Sequence, residues 1–187
     1  MVDVVTEVGR AGIRMTPMVE LWNEERFRDF HLKVDFLTPK GDIRAGIGYR
    51  SDQAQPFAFL LSPAGQMTAL GECSVRDGIL KDGRIVLSPK SPEAVHGLRP
   101  TGGELKPTGE WNTLEVIAIG DTALHVLNGK VVCVGAELRV HGQPSKEGII
   151  RIYSQGKDPV VIGNLRIREI RAIPKEFAGV QSMPKQP

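Results

Sequence analysis

Phe30, Leu32, Val34 and Phe36 alternate with Asp29, His31, Lys33 and Asp35, the period-two pattern of a strand that turns one face to a core. After turn chemistry at Pro39-Lys-Gly-Asp42, extended structure resumes over Ile43–Arg50, where Ala45, Gly46 and Gly48 would let another backbone approach closely. These two segments are expected to pair antiparallel. Phe57–Leu61 is a short apolar run between Pro56 and Pro63, and residues 62–107 read as loops with short strands. Trp111–Ile119, Ala123–Leu127 and Lys130–Val134 are three further strands, broken at Gly120-Asp121 and at Asn128-Gly129; Asn-Gly is the strongest short-range hairpin signal. Gly148–Tyr153 and Val160–Ile170 form a last expected pair, with Leu165 and Ile167 alternating with Arg166 and Arg168. Helical periodicity is faint and confined to Val19–Phe27. Many short strands between frequent turns predict an all-β antiparallel two-sheet sandwich.

A chain of 187 residues, 41% hydrophobic and 25% charged, fits one globular core. The pattern divides it into an N-terminal extension (1–14), a sandwich domain (15–172) and a loosely held tail (173–187) rich in Pro, Lys and Gln. With 24 Lys+Arg against 22 Asp+Glu and no long basic run, nucleic acid is not an expected partner. The acids within Met1–Arg10 and the lack of a long apolar stretch give no sign of an export leader or a membrane span, and the compartment stays open. Cys73 and Cys133 provide neither a disulfide framework nor metal-type spacing and are expected as thiols. Open strand edges leave a homo-oligomer as an option.

The order Leu21-Trp-Asn-Glu-Glu-Arg-Phe-Arg-Asp-Phe-His-Leu-Lys-Val-Asp-Phe36, then Ala45-Gly-Ile-Gly-Tyr-Arg50, resembles the opening of the 3-keto-disaccharide hydrolase domain family. Lys106-Pro-Thr-Gly-Glu-Trp-Asn112, Leu127-Asn-Gly-Lys-Val-Val132, Gly148-Ile-Ile-Arg-Ile152 and Gly163-Asn-Leu-Arg-Ile-Arg168 resemble its closing strands, in order, so that the likeness spans residues 20–172. The resemblance implies a concanavalin A-like jelly roll whose concave sheet carries a carbohydrate or glycoside ligand, in a family that is usually exported. It also implies cleavage of glycosides oxidised at C3, where the ketone acidifies the neighbouring C–H and a base drives elimination of the aglycone before water adds. Against the family pattern, Ala58 and Leu60 stand at the acid and amide positions of the site strand, and Ile152-Tyr153 and Ile162-Gly163-Asn164 lack two further polar side chains.

Such chemistry needs a base and an oxyanion stabiliser. The candidate catalytic residues are Glu72, Arg50 and His125, with Glu104 a further acid; Lys106, Arg76, Trp111 and Tyr153 are the candidate substrate-binding residues. Each has a plainer role available: the acids as solvated loop charges, His125 as a strand residue pointing away from the core, Trp111 and Trp22 as core. Asn112, Asn128 and Gly129 suit turn and strand-end hydrogen bonding. His31, His96, His125 and His141 show no metal-ligand spacing, so no cofactor is expected and a divalent metal finds no support. The alternatives to an enzyme are a non-catalytic glycan-binding or protein-interaction module that has lost the polar site strand, and an unrelated laminin-G or glucanase-like sandwich.

Overall fold

In a computed structural model describing residues 2–22, 24–37, 43–51, 57–62, 65–70, 72–76, 78–81, 84–87, 105–140 and 143–180, the alternating segment is strand β4 (Phe30–Leu37). The strands before it are β1 (Val2–Glu7), β2 (Arg10–Met15) and β3 (Val19–Trp22); β5 (Ile43–Ser51), β6 (Phe57–Ser62) and β7 (Gly65–Leu70) follow. Next come β8 (Glu72–Arg76), β9 (Gly78–Lys81), β10 (Arg84–Leu87), β11 (Trp111–Ile119), β12 (Thr122–Leu127) and β13 (Lys130–Val140). The last are β14 (Gln143–Pro144), β15 (Ile149–Gly156) and β16 (Val160–Glu169), before a short 3-10 helix at Lys175–Val180. Val19–Trp22 is thus a strand, not the faint helix its periodicity allows.

The larger sheet has the order β1-β2-β16-β4-β11-β12-β13-β14, with β8 also on β13, and the smaller has the order β3-β15-β5-β6-β7; β9 and β10 form a separate ribbon. All named pairings are antiparallel. The core lies between the two sheets. Phe30, Val34, Leu114 and Val116 of the larger sheet meet Tyr49, Phe57, Phe59 and Ile152 of the smaller, and Phe30 meets Tyr49 edge-on at 6.1 Å between ring centroids. Burying one such side chain contributes roughly 1.5–3 kcal/mol.

Two expected pairings are replaced. β4 pairs with β11 and β16, whereas β5 pairs with β15 and β6. Likewise β15 and β16 belong to opposite sheets. Period-two alternation requires that each strand bury one face but does not select its partner, and a sandwich buries it equally by placing successive strands in facing sheets. The meander β11-β12-β13 forms as the sequence predicts. Asn128 (φ 50°) and Gly129 (φ 79°) are both left-handed, the turn whose twist matches a hairpin.

Within the N-terminal segment, β2 pairs with β16 over Ile13–Met15 and β1 extends the sheet as its edge strand. The C-terminal segment, expected as loose, buries Ile173 and Phe177 against Ile117, Leu124, Val126 and Val134 on the outer face of the larger sheet. No helix among the described residues is long and apolar enough to cross a membrane.

Two predictions follow from local geometry. The β1-β2 turn holds Val8 at φ 49° before Gly9 at φ 70°, a conformation costly for a β-branched residue. Val8→Asn is expected to raise stability by about 1 kcal/mol in urea unfolding. At Gly12, a Cβ would stand 2.8 Å from the Ile162 carbonyl oxygen and 3.0 Å from Val161 Cγ1, whereas at Gly163 the tightest contact would be 3.3 Å. Gly12→Ala should therefore cost about 2 kcal/mol and Gly163→Ala less, by the same assay.

Candidate functional site

Arg50, at φ 51° near the end of β5, is 2% exposed. Its Nη1 donates to the Gly120 carbonyl at 2.7 Å and to that of Ser145 at 3.3 Å, and its Nε and Nη2 donate to the Arg28 carbonyl at 3.1 and 2.5 Å. Burial lowers its pKa from the ordinary value, opposed by Tyr49 and Asp29. The guanidinium is occupied in binding three chain segments together.

His125 is the opposite of its sequence expectation, at 1% exposure and inside the sandwich. The inter-sheet side of β12 carries it because Leu124 and Val126 take the other side, under Phe177. The ring stacks on Phe59 at 4.7 Å, and Nε2 lies 2.8 Å from the Tyr49 hydroxyl. Burial pushes its pKa from 6.5 down to about 3.

Trp111 is 7% exposed. It lies on the outer face of the larger sheet, over the bare backbones of Gly12 and Gly163, with the Arg10 guanidinium 5.9 Å from the ring centroid. It is therefore not an open platform. Lys106 is exposed, its backbone N–H donating to Asn112 Oδ1 at 2.9 Å. Asn128 completes this join, donating to Asn112 Oδ1 and accepting from the Thr113 N–H, both at 2.9 Å, the strand-end role expected of both asparagines. Glu72 and Arg76 bound β8, with backbones opposite Arg139 and Val134; their side chains, and all of Glu104, lie outside the described residues. Lys106 meets the sheet through its backbone N–H on Asn112, on the strand face opposite to Trp111, and Arg50, His125 and Tyr153 lie in separate surroundings. No cluster of three or more His, Cys, Asp or Glu that could hold a metal occurs among the described residues, and Cys133 is a buried thiol.

Tyr153 faces outward from the smaller sheet, opposite Glu20 on β3 and Gly46 on β5, yet is 2% exposed. Burial, then the charge of Glu20, pushes its hydroxyl pKa up, so it stays a phenol. On the same face Ala58 is opposite Gly48, and Arg151 stands between Gly48 and Trp22. Arg151 Nη1 lies 3.4 Å from Glu20 Oε2. Trp22, read from sequence as core, is 63% exposed. It stands at the edge strand, at the lip of an apolar groove of about 210 Å³ between the sheets that Leu21, Phe27, Ile152, Leu165 and Ile167 also line. The signal for this was available: Glu20 and Trp22 share strand parity, so a solvent-facing Glu20 carries Trp22 with it.

These features define a class, the two-sheet antiparallel jelly-roll sandwich with an aromatic and ion-paired edge. Residues 11–170 match the 3-keto-alpha-glucoside-1,2-lyase-like domain, and the chain belongs to that family. Among solved structures, the carbohydrate binding module CBM66 from Bacillus subtilis is similar at 11% identity and TM-score 0.52, over 90% of this chain and 92% of that one. A protein from Parabacteroides distasonis ATCC 8503, provisionally named a glycosyl hydrolase, gives 16% identity and TM-score 0.56, over 89% and 83%. A Bacillus subtilis protein of unknown function with a galectin-like fold gives 10% and 0.53, over 90% and 86%. At these identities the likeness is one of fold. A comparison with curated proteins finds no match.

The state of His125 is testable by pH. An unfolded chain protonates this ring below about 6.5, but the folded one does so only near 3. Its contribution to stability is therefore complete above the unfolded value and is lost as pH falls toward the folded one, with a slope approaching about 1.4 kcal/mol per pH unit. His125→Phe should flatten the loss of unfolding free energy between pH 6.5 and about 4 by this amount.

Proposed function

We propose that this domain binds carbohydrate at the β3 edge, through Trp22 with Arg151 and Glu20, and that binding rather than turnover is its function. The observation that carries this is an indole 63% exposed on the same strand face as an ion pair. Hexoses present an apolar C–H surface to an aromatic ring and hydroxyls around its rim, so they need a flat aromatic beside groups that donate and accept. Trp22 supplies the first, Arg151 the donors and Glu20 the acceptor. A non-catalytic reading is also supported by Ala58 at the family's acid position, and by the structural occupation of Arg50 and His125. Membership of the lyase-like family and a fold shared with a carbohydrate binding module support the ligand class.

The test pairs two assays on the purified, folded chain. On a microarray of neutral oligosaccharides, binding is expected, and Trp22→Ala should weaken it roughly 30-fold, the usual cost of truncating an aromatic anchor. Release of aglycone from a 3-keto-glucoside is expected not to occur. Cleavage of that compound but not of the unoxidised glucoside, lost in Glu72→Ala, would replace this reading with the family's chemistry.

A further inference from the structure

The outer face of the larger sheet has a layered charge distribution. Asp35 and Glu115 lie low, 6% and 5% exposed. Asp35 accepts from Thr113 Oγ1 at 2.6 Å and Asn164 Nδ2 at 2.7 Å, with Arg10 Nη1 at 3.5 Å. Glu115 lies 2.7 Å from His31 Nε2 and 3.4 Å from Lys33 Nζ. Arg168 Nη2 is 3.0 Å from His31 Nδ1. A guanidinium can only donate, so Nδ1 accepts and Nε2–H donates to Glu115. Burial would raise the Glu115 carboxyl, but the hydrogen bond from His31 and the charge of Lys33 outweigh it and hold it below its ordinary range.

Both carboxylates are thus engaged within the sheet by hydrogen bonds and ion pairs, while the cations above them face water. The side chains of Arg10 and Lys33 are 55% and 48% exposed, and Arg166 and Arg168 are exposed. Register sets Arg166 beside Lys33 and Arg168 beside His31, with same-face neighbours about 7 Å apart along a strand and about 5 Å apart between strands. Glu169, the nearest acid on β16, is opposite Phe30 and so belongs to the other face. Arg10, Lys33, Arg166 and Arg168 outnumber the two carboxylates beneath them, while Glu7, opposite Arg10 on β1 and on the same face, is ion-paired with Arg14.

We propose that the stripe Arg10–Lys33–Arg166–Arg168 is a second binding site, for the acidic groups of an anionic polysaccharide, sulfate or carboxylate. Its ligand class rests on the carbohydrate reading, but its position is independent of the Trp22 edge. Guanidinium forks match either oxyanion in a two-point contact. Nucleic acid is a poorer fit, because among the described residues no aromatic on this face is open for base stacking: Trp111 is 7% exposed. A lipid surface is a poorer fit because Ile117, Leu124 and Val126 are covered by Ile173 and Phe177.

Sulfated dextran and polygalacturonate, each immobilised, are the probes, with unmodified dextran, RNA and anionic vesicles as competitors. The folded chain should bind at least one polyanion, more weakly as salt rises. Lys33→Gln with Arg166→Gln, chosen because Lys33 makes one long contact and Arg166 no ion pair among the described residues, should weaken binding at least about tenfold at unchanged melting temperature. Arg166→Glu alone provides a second variant. Trp22→Ala should bind each polyanion as the parent chain does. Undiminished binding by the folded double variant or by Arg166→Glu, no binding of either polyanion by the parent chain, or stronger competition by RNA or vesicles would each overturn the proposal. Loss of neutral-sugar binding alone would sink only the edge site.

Discussion

One buried guanidinium organises the end of this sandwich. Arg50 has no water to solvate it, and an unpaired charge there would cost several kcal/mol. Carbonyls from the approach to β4, the β11-β12 turn and the approach to β15 converge on it. Those segments lead into strands of both sheets, so the same contacts that neutralise the charge fix how the layers meet. The reverse contact, from Ser145 Oγ to the Arg50 carbonyl at 3.2 Å, and the Gly120 N–H on Asp29 Oδ1 at 2.8 Å, close the knot. The left-handed φ of Arg50 is the strain that turns its side chain into this position. A lysine, with one point charge, could not serve carbonyls arranged around a planar fork.

The two outer faces then differ for reasons of side-chain size. On the smaller sheet, Gly46, Gly48 and Ala58 bring only small side chains to the centre, and Trp22, Glu20 and Arg151 stand at the edge on β3 and β15. On the larger sheet, the glycines at 12 and 163 serve a different purpose, since they admit the Trp111 ring flat against the backbone. Neighbouring Asp35 and Glu115 are drawn under their cations instead of pointing outward. One face therefore presents an indole and an ion pair, the other a layer of positive charge.

Strand identity was legible because period-two alternation survives in β4 and β16, and the β12-β13 turn because Asn128-Gly129 can adopt only a few conformations. Sheet membership was not. Apolar alternation says that a face is buried but not by which layer, so β4 and β5, both alternating and adjacent in sequence, looked like partners when they are opposite walls of one core. His125 escaped for a related reason: β12 is apolar on both faces, since Ile173 and Phe177 bury its outer side, and polarity then no longer marks the solvent side. Trp22 escaped because an aromatic beside a leucine reads as core unless the parity of Glu20 is followed. Arg50 was singled out correctly as a special position, but its three carbonyl partners come from distant segments that no local pattern connects.

Elimination from a 3-keto sugar needs a group that takes a proton near neutral pH and can return it. Among the described residues, His125, Tyr153 and Glu115 are each set away from that condition by their surroundings. The His125 imidazole is held neutral by burial that drops its pKa to about 3, which makes it a weak base with no route to solvent. The Tyr153 hydroxyl is pushed the other way, by burial and by Glu20, and keeps its proton. Glu115 is held ionised by His31 and Lys33, too stable an anion to act as a strong base. Burial causes the first two shifts and a hydrogen bond with a nearby charge the third, and each moves its group away from proton exchange near neutral pH. Surfaces that recognise without reacting face no such conflict: an exposed indole and a layer of guanidinium groups can be held rigidly and still meet a ligand.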